Sequence, residues 1–337
     1  MNYSDEEACG SILNTSKFFF RTSVMSLFGK KNFDTYIGED VKKILFDNHG
    51  KVTGVRTNLR VLSADYVILS AGVIGTCSLL LDEKANKSKE NFLKNIIVGN
   101  NVRDHTNLRI NVQTNKSVNS LNEISNSFLQ KFIMISKYAF GKGTLMTGTG
   151  ASSAAHLDLD NDGVIDTRIQ IVQFYENGRH EGSEDLFSSS KPGFSISITS
   201  INPKSKGNIT KDRGDINIDP MYLSLNEDLN LLKLALKFCL EVLRSEPICD
   251  HILNIEEEST IENSPNKYIV DNIFSGYHLI GGTSDVINSN FEVSNTKNLF
   301  ICDASIFNKY CASNIHSSVV LISDIFAKSF ISKNFQG

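Results

Sequence analysis

The run Asn298-Leu299-Phe300-Ile301-Cys302 ends on Asp303-Ala304-Ser305, and Ala312-Ser313-Asn314-Ile315-His316 then opens a helical pattern. A strand whose C-terminal end carries a carboxylate and small residues, followed by a helix N-terminus, constrains the fold more than any other stretch. It is a good place to hold a cofactor. Just upstream, Tyr277-His278-Leu279-Ile280-Gly281-Gly282-Thr283 puts an isolated His before a Gly-Gly turn. A His and an Asn brought to one place can take a proton from an alcohol and hold the resulting oxyanion.

A second strand–turn–helix signal lies near the start. Phe33 to Ile37, Val41 to Phe46, Val52 to Thr57 and Tyr66 to Leu69 read as short strands, with Asp47-Asn48-His49-Gly50 as a hairpin turn. Ser70-Ala71-Gly72-Val73-Ile74-Gly75-Thr76 follows, and Cys77 to Leu81 reads as a helix start. Such a turn lets a phosphate or ribose approach backbone N–H groups.

The middle has a different texture. Leu108 to Val112, Ala154 to Leu159, Arg168 to Phe174, Phe194 to Ile201 and Asp215 to Ile218 alternate as half-buried strands without a βαβ rhythm. That predicts an antiparallel sheet with one covered face. Ser224 to Arg244 is the clearest helix, with Ser224 and Glu227 as a capping box and Leu229, Leu232, Leu236, Cys239 and Leu243 along one stripe. The fold class expected is therefore α+β. Residues 1–105 and 278–337 are read as an incomplete cofactor domain, and 106–277 as a substrate-binding domain.

With 337 residues the chain can bury a sizeable core. Its 34 basic and 38 acidic residues nearly balance, so no nucleic-acid or membrane-surface partner is expected. No apolar run reaches the roughly 20 residues of a membrane span. The acidic start, Asp5-Glu6-Glu7, does not read as a signal peptide. The six Cys lack metal-ligand spacing and read as free thiols of a reducing compartment, which suggests a cytoplasmic protein.

These islands resemble the glucose-methanol-choline (GMC) family of flavin oxidoreductases. His278 with Gly281-Gly282-Thr283, Asp303-Ala304-Ser305 and Asn314 resemble its C-terminal signature, although Ile315 replaces the usual Pro. Ser70-Ala71-Gly72 through Leu80-Leu81, Val98-Gly99-Asn100-Asn101-Val102-Arg103-Asp104-His105, Pro203 to Gly207 and Asp219 to Leu223 resemble further landmarks. The resemblance implies FAD as cofactor and oxidation of an alcohol or sugar. It makes His278 the base, and Asn314 the partner of the substrate oxygen with His316 as competitor. It also implies flavin contacts by Val41, Asp303, Ala304, Asn314 and Ile315. Plainer readings remain: Asn314 as an N-cap, and Asp303 as a strand-end residue capping a turn.

Two motifs are set aside. Asp158-Leu159-Asp160-Asn161-Asp162-Gly163 starts like a calcium loop, but position twelve is Ile169 rather than a bidentate Glu. An Asp/Asn/Gly turn is the plainer reading there, weak cation binding is the alternative, and no metal ligand is assigned. Gly148 to Ser153 imitates a dinucleotide loop, yet no buried strand precedes it. The Gly-x-Gly-x-x-Gly that holds the pyrophosphate in the family is absent. Two functions are thus expected to compete. One is the C-terminal part of a flavin-dependent oxidoreductase, completed by a segment or partner chain that supplies the loop. The other is a non-catalytic remnant or binding module that keeps the substrate-domain fold.

Overall fold

The computed structural model describes residues 7–11, 16–17, 20–21, 33–85, 92–115, 120–142, 150–176, 191–310 and 314–335. Cys311, the Ala312-Ser313 pair and Gly148-Thr149 lie outside them. The chain divides into two units. One comprises Met1–Lys31, Thr106–Asn202 and Leu225–Gly276; the other comprises Asn32–His105, Pro203–Ser224 and Tyr277–Gly337.

The first unit is built on an antiparallel sheet. Its order is Ala8–Ser11, Ala151–Leu157, Thr167–Val172, Gly193–Ser200, Thr106–Thr114 and Ile252–Ile255, with Phe274–Ser275 also paired to Thr106–Thr114. Strict alternation along Thr106–Thr114 buries Leu108, Ile110 and Val112, as a sheet with a covered face requires. Helix Asn226–Leu243 buries Leu232, Leu236, Cys239 and Leu243. The expected capping box does not form. The helix starts later than Ser224, and its N-cap is Leu225, which makes no side-chain cap bond.

The second unit carries the predicted site residues. In chain order its elements are β1 (Val41–Phe46), β2 (Val52–Thr57), β3 (Val61–Ser63), β4 (Val67–Leu69), α1 (Gly72–Ala85), β5 (Asn100–Arg103), β6 (Gly207–Asp212), β7 (Asp215–Asp219), β8 (Ile280–Gly282), β9 (Leu299–Ile301) and α2 (His316–Phe335). Strands β1 to β3 form an antiparallel meander, and β7-β6-β5-β8 a four-stranded sheet. Strand β4 pairs in parallel with β9, Val67 opposite Leu299.

The turn between β1 and β2 is made as its sequence dictates. Asp47 Oδ1 accepts from the His49 and Lys51 N–H groups at 2.8 and 2.9 Å, and Gly50 takes φ +77°. Helix α1 begins at Gly72, five residues ahead of the expected start, and buries Val73, Cys77 and Leu80 on one face. Phe33 to Ile37 is a loop, not a strand. Phe33, Tyr36 and Ile37 are exposed, so the apolar run has no covered face to pair against. Residues 203–224 join this unit rather than the sheet unit because β6 pairs with β5. The core gathers Ile44, Val52, Leu69, Cys77, Leu80, Val102, Ile209, Ile280, Leu299 and Ile301 from nearly every element. The α+β class holds in both units.

Candidate active site

Register brings the central residues together. In the antiparallel β5–β8 pair, Arg103 lies opposite Ile280 and Asn100 opposite Gly282. Residues leaving β5, Asp104 and His105, therefore face residues entering β8, Tyr277 and His278. Tyr277 takes φ +58° at this corner. The backbone N–H of His278 donates to Asp104 Oδ1 at 2.8 Å, and the Tyr222 hydroxyl donates to Asp104 Oδ2 at 2.5 Å. The buried Asp104 carboxylate thus fixes the chain that carries His278.

The imidazole of His278 is held at both nitrogens. Its Nδ1 lies 3.0 Å from Nδ1 of His105, and its Nε2 lies 2.8 Å from Nδ2 of Asn314. An amide NH2 only donates, so His278 Nε2 accepts and its proton sits on Nδ1, facing His105. His105 is 1% exposed, and its ring stacks on Tyr310 with centroids 4.0 Å apart. The Tyr310 hydroxyl is buried without a hydrogen-bond partner, as is Nε of Arg103. Burial pushes the Tyr310 pKa far above the ordinary phenol range, with Asp104 and Tyr222 adding to the rise, so it stays a protonated donor.

The second cluster lies at the C-terminal ends of the parallel strands. Asp303 follows β9, is buried, and accepts three hydrogen bonds. Gly72 N–H reaches Oδ2 at 3.0 Å, the Thr76 hydroxyl reaches Oδ2 at 2.6 Å, and Ser305 N–H reaches Oδ1 at 2.8 Å. Asp303 thereby caps both α1 and the short turn Ala304–Ile306. Ala304 is buried in that turn. Thr283, just past β8, ties to Ser305 through its hydroxyl at 2.7 Å and its N–H at 3.1 Å.

The remaining predicted residues are placed as follows. Ile315 packs against the core beside Asn314, and His316 is exposed as the first residue of α2. Val41 starts β1 and is exposed. Of the two competitors, Asn314 is the one hydrogen-bonded to His278. Sequence reasoning passed over His105, Asp104, Tyr222 and Tyr310. The Asp-His pair closing Val98–His105 was a usable signal for the first two. Tyr222 falls inside the Asp219–Leu223 landmark, and nothing local marks Tyr310.

Residues 203–323 match the family model for GMC oxidoreductase. These residues carry the C-terminal GMC oxidoreductase signature. Formate oxidase superposes with a TM-score of 0.74 at 15% identity, over 88% of this chain and 60% of its own. Pyridoxine 4-oxidase from Mesorbium loti gives 0.68 at 18% identity, over 91% and 60%. A fungal aryl-alcohol oxidase gives 0.66 at 13% identity, over 88% and 60%. At such identities the likeness to these GMC structures is one of fold. The chain spans about 60% of the length of the solved structures it matches. No curated protein matches the sequence.

Proposed function

We propose that this chain is the substrate and acid–base part of an FAD-dependent oxidoreductase acting on CH–OH groups of a small alcohol or sugar. The observation that carries the reading is the His278 ring held between Asn314 and His105. Formate oxidase from Aspergillus oryzae, whose FAD modification has been studied, and an FAD-dependent oxidoreductase from Chaetomium thermophilum share the fold.

The residues present fit part of a flavin site. Asp303, Ala304 and the N-terminus of α1 meet where a parallel strand pair ends, as nucleotide cofactors require. Tyr310 and Arg103 offer buried polar atoms without partners. Asp303, Ala304, Asn314, Ile315 and, through its backbone, Val41 are the residues proposed to hold the cofactor. Bound FAD supplies the acceptor for the hydride that leaves the alcohol carbon.

The chain's own residues move the proton. A hydroxyl inserted at Nε2 of His278 gives up its proton there, and His278 becomes an imidazolium. The Nδ1–H toward His105 fixes the tautomer and strengthens as positive charge develops. The Asn314 amide then donates to the oxygen that gains negative charge.

Completion by a further segment or partner chain belongs to the same proposal. Helix α2 buries only Phe326 among its residues, while Leu321, Ile325, Ile331 and Phe335 are exposed. Ile68 of β4 and Ile74 of α1 are exposed as well. A parallel pair of strands is stable when both faces are covered, so these surfaces suit a segment that brings parallel strands and the glycine-rich loop. With free thiols at Cys77, Cys239 and Cys302, a reducing, cytoplasmic setting is part of the reading.

The test is anaerobic flavin reduction by a panel of alcohols and sugars, with FAD and a chain carrying the glycine-rich loop supplied. Reduction that depends on His278 supports the enzyme. If no member of the panel reduces the flavin in a complex that binds FAD stoichiometrically, the chain is a binding module.

A further inference from the structure

The loop from Asp158 to Asp166 lies apart from the chemistry above, in the sheet unit. It joins the antiparallel strands Ala151–Leu157 and Thr167–Val172. Asp158, Asp160, Asp162 and Asp166 fall on it with no Lys or Arg between them. The loop is wound tightly by its own side chains. Asp158 Oδ2 accepts from Gly163 N–H at 2.8 Å, and Asp162 Oδ1 accepts from Val164 N–H at 2.8 Å. Asn161 and Gly163 take φ of +60° and +84°.

Winding places like charges together. One carboxylate oxygen from each of Asp158, Asp160 and Asp166 lies within 4.8 Å of the others. Acidic turns at a surface are common, but Asp166 is not at the surface. It is 6% exposed; the Thr167 hydroxyl donates to Oδ1 at 2.8 Å and the Leu159 backbone N–H also approaches the carboxylate, while Oδ2 is buried without a hydrogen-bond partner. A buried carboxylate with an oxygen this close to two further carboxylates calls for a cation.

We propose that this loop binds a calcium ion, with Asp158, Asp160 and Asp166 as its carboxylate ligands. All three donors are hard oxygens, and no His or Cys joins them. Oxygens within 4.8 Å of one another can share one calcium ion at calcium–oxygen distances of about 2.3–2.6 Å, and magnesium, which dehydrates reluctantly and is seldom held by an all-protein cage, suits such a loop less well. Positions one and three are Asp and position six is Gly, as in calcium loops, while Asp162 at position five stands outside the cluster. Ile169 at position twelve is buried in the sheet, and the inner acid ligand comes from Asp166 at position nine instead. Bound there, the ion pins the two strands at the end where they are joined.

The experiment uses the full chain stripped with chelator, then titrated with CaCl2 by calorimetry and followed by thermal unfolding. Saturable heat and a raised Tm are expected, since an ion that binds only the folded state stabilises it by mass action. Asp160→Asn, at an exposed position, replaces a charged ligand oxygen by a neutral one without disturbing the core, and it should lower calcium affinity about tenfold or more. Asp166→Asn should unfold in chelator no earlier than the parent and show no calcium response. Absence of heat and of any Tm change in the parent at about 5 mM CaCl2, above the weak end of known calcium sites, overturns the proposal. An equal response to MgCl2, or an undiminished one in Asp160→Asn, overturns it as well.

Discussion

Nδ1 of His105 lies 3.0 Å from Nδ1 of His278, so one N–H, and not two, sits between the rings. In the proposed mechanism the pair would divide labour as a base and its orienting group do in catalytic triads, with a neutral imidazole in place of the carboxylate. On that proposal His105 is a positioning residue. His105→Phe should lower flavin reduction about 10–100-fold, the range for an orienting partner, and should shift the pH–rate profile. Unchanged FAD binding with an unshifted profile would show that His105 serves packing alone.

For the base itself a larger effect is expected. His278→Ala should slow flavin reduction by roughly 10²–10⁴-fold, because only water is left to take a proton from a weakly acidic hydroxyl. Asn314→Ala should cost roughly 10²–10³-fold, near the value of one oxyanion donor. His316→Ala should be mild, since Asn314 and not His316 reaches Nε2. Single-turnover reduction in the reconstituted complex separates the three; a severe His316→Ala would reassign the partner.

Purified alone, the chain is expected to hold FAD weakly or not at all. Gly-x-Gly-x-x-Gly is absent from its sequence, and that loop with its helix N-terminus supplies a large share of the hold on a dinucleotide's pyrophosphate. A stoichiometric flavin absorbance band from this chain by itself contradicts that expectation.

The Gly281-Gly282 turn tests how tightly the site is framed. Gly281 takes φ +86°, and a Cβ there would stand 2.3 Å from the Asn101 carbonyl oxygen. Gly282 takes φ +98°, and its Cβ would meet Cys77 Sγ at 2.6 Å. Each Gly→Ala change should destabilise by roughly 1–3 kcal/mol from backbone strain, with the clash in addition. Chemical denaturation distinguishes them. Cys77→Ala should restore part of the loss in Gly282→Ala and none in Gly281→Ala, because only the first clash is with a side chain.

Asp166 sets a pH dependence in the calcium-free protein. Burial, with the charges of Asp160 and Asp158 facing it, raises its pKa from 3.8 to about 6. The folded state then binds the proton more tightly than the unfolded one. The stability lost to this group is fully felt above about pH 6 and is recovered as pH falls toward 4. In chelator, parent and Asp166→Asn should converge in denaturation midpoint between pH 7 and 5. A gap that is constant with pH counts against a raised pKa.

Much of this was readable before any coordinates. The sheet face of residues 106–114 follows from alternation of period two, and the turn at Asp47 and the strand–helix pairs at 67–85 and 299–335 from their turn residues. His278 and Asn314 were legible because each sits in a short motif. His105 was not assigned, since its role exists only once β5 and β8 align, and register is a tertiary fact. Ser224 failed as a cap for a similar reason: the chain around it stays with β6 and β7 rather than with the helix it precedes.

The site's parts lie far apart along the chain. His105 and His278 are separated by 173 residues, and Thr76 and Asp303 by 227. Closing such long loops carries an entropic cost before any contact rewards it, and non-local strand pairing is slow. On the ribosome, β4 and α1 emerge long before β9 exists to pair with them. The expected order therefore puts the contacts of His278 with His105 and of Asp303 with α1 among the last features to form, after the sheet unit between them has had time to fold.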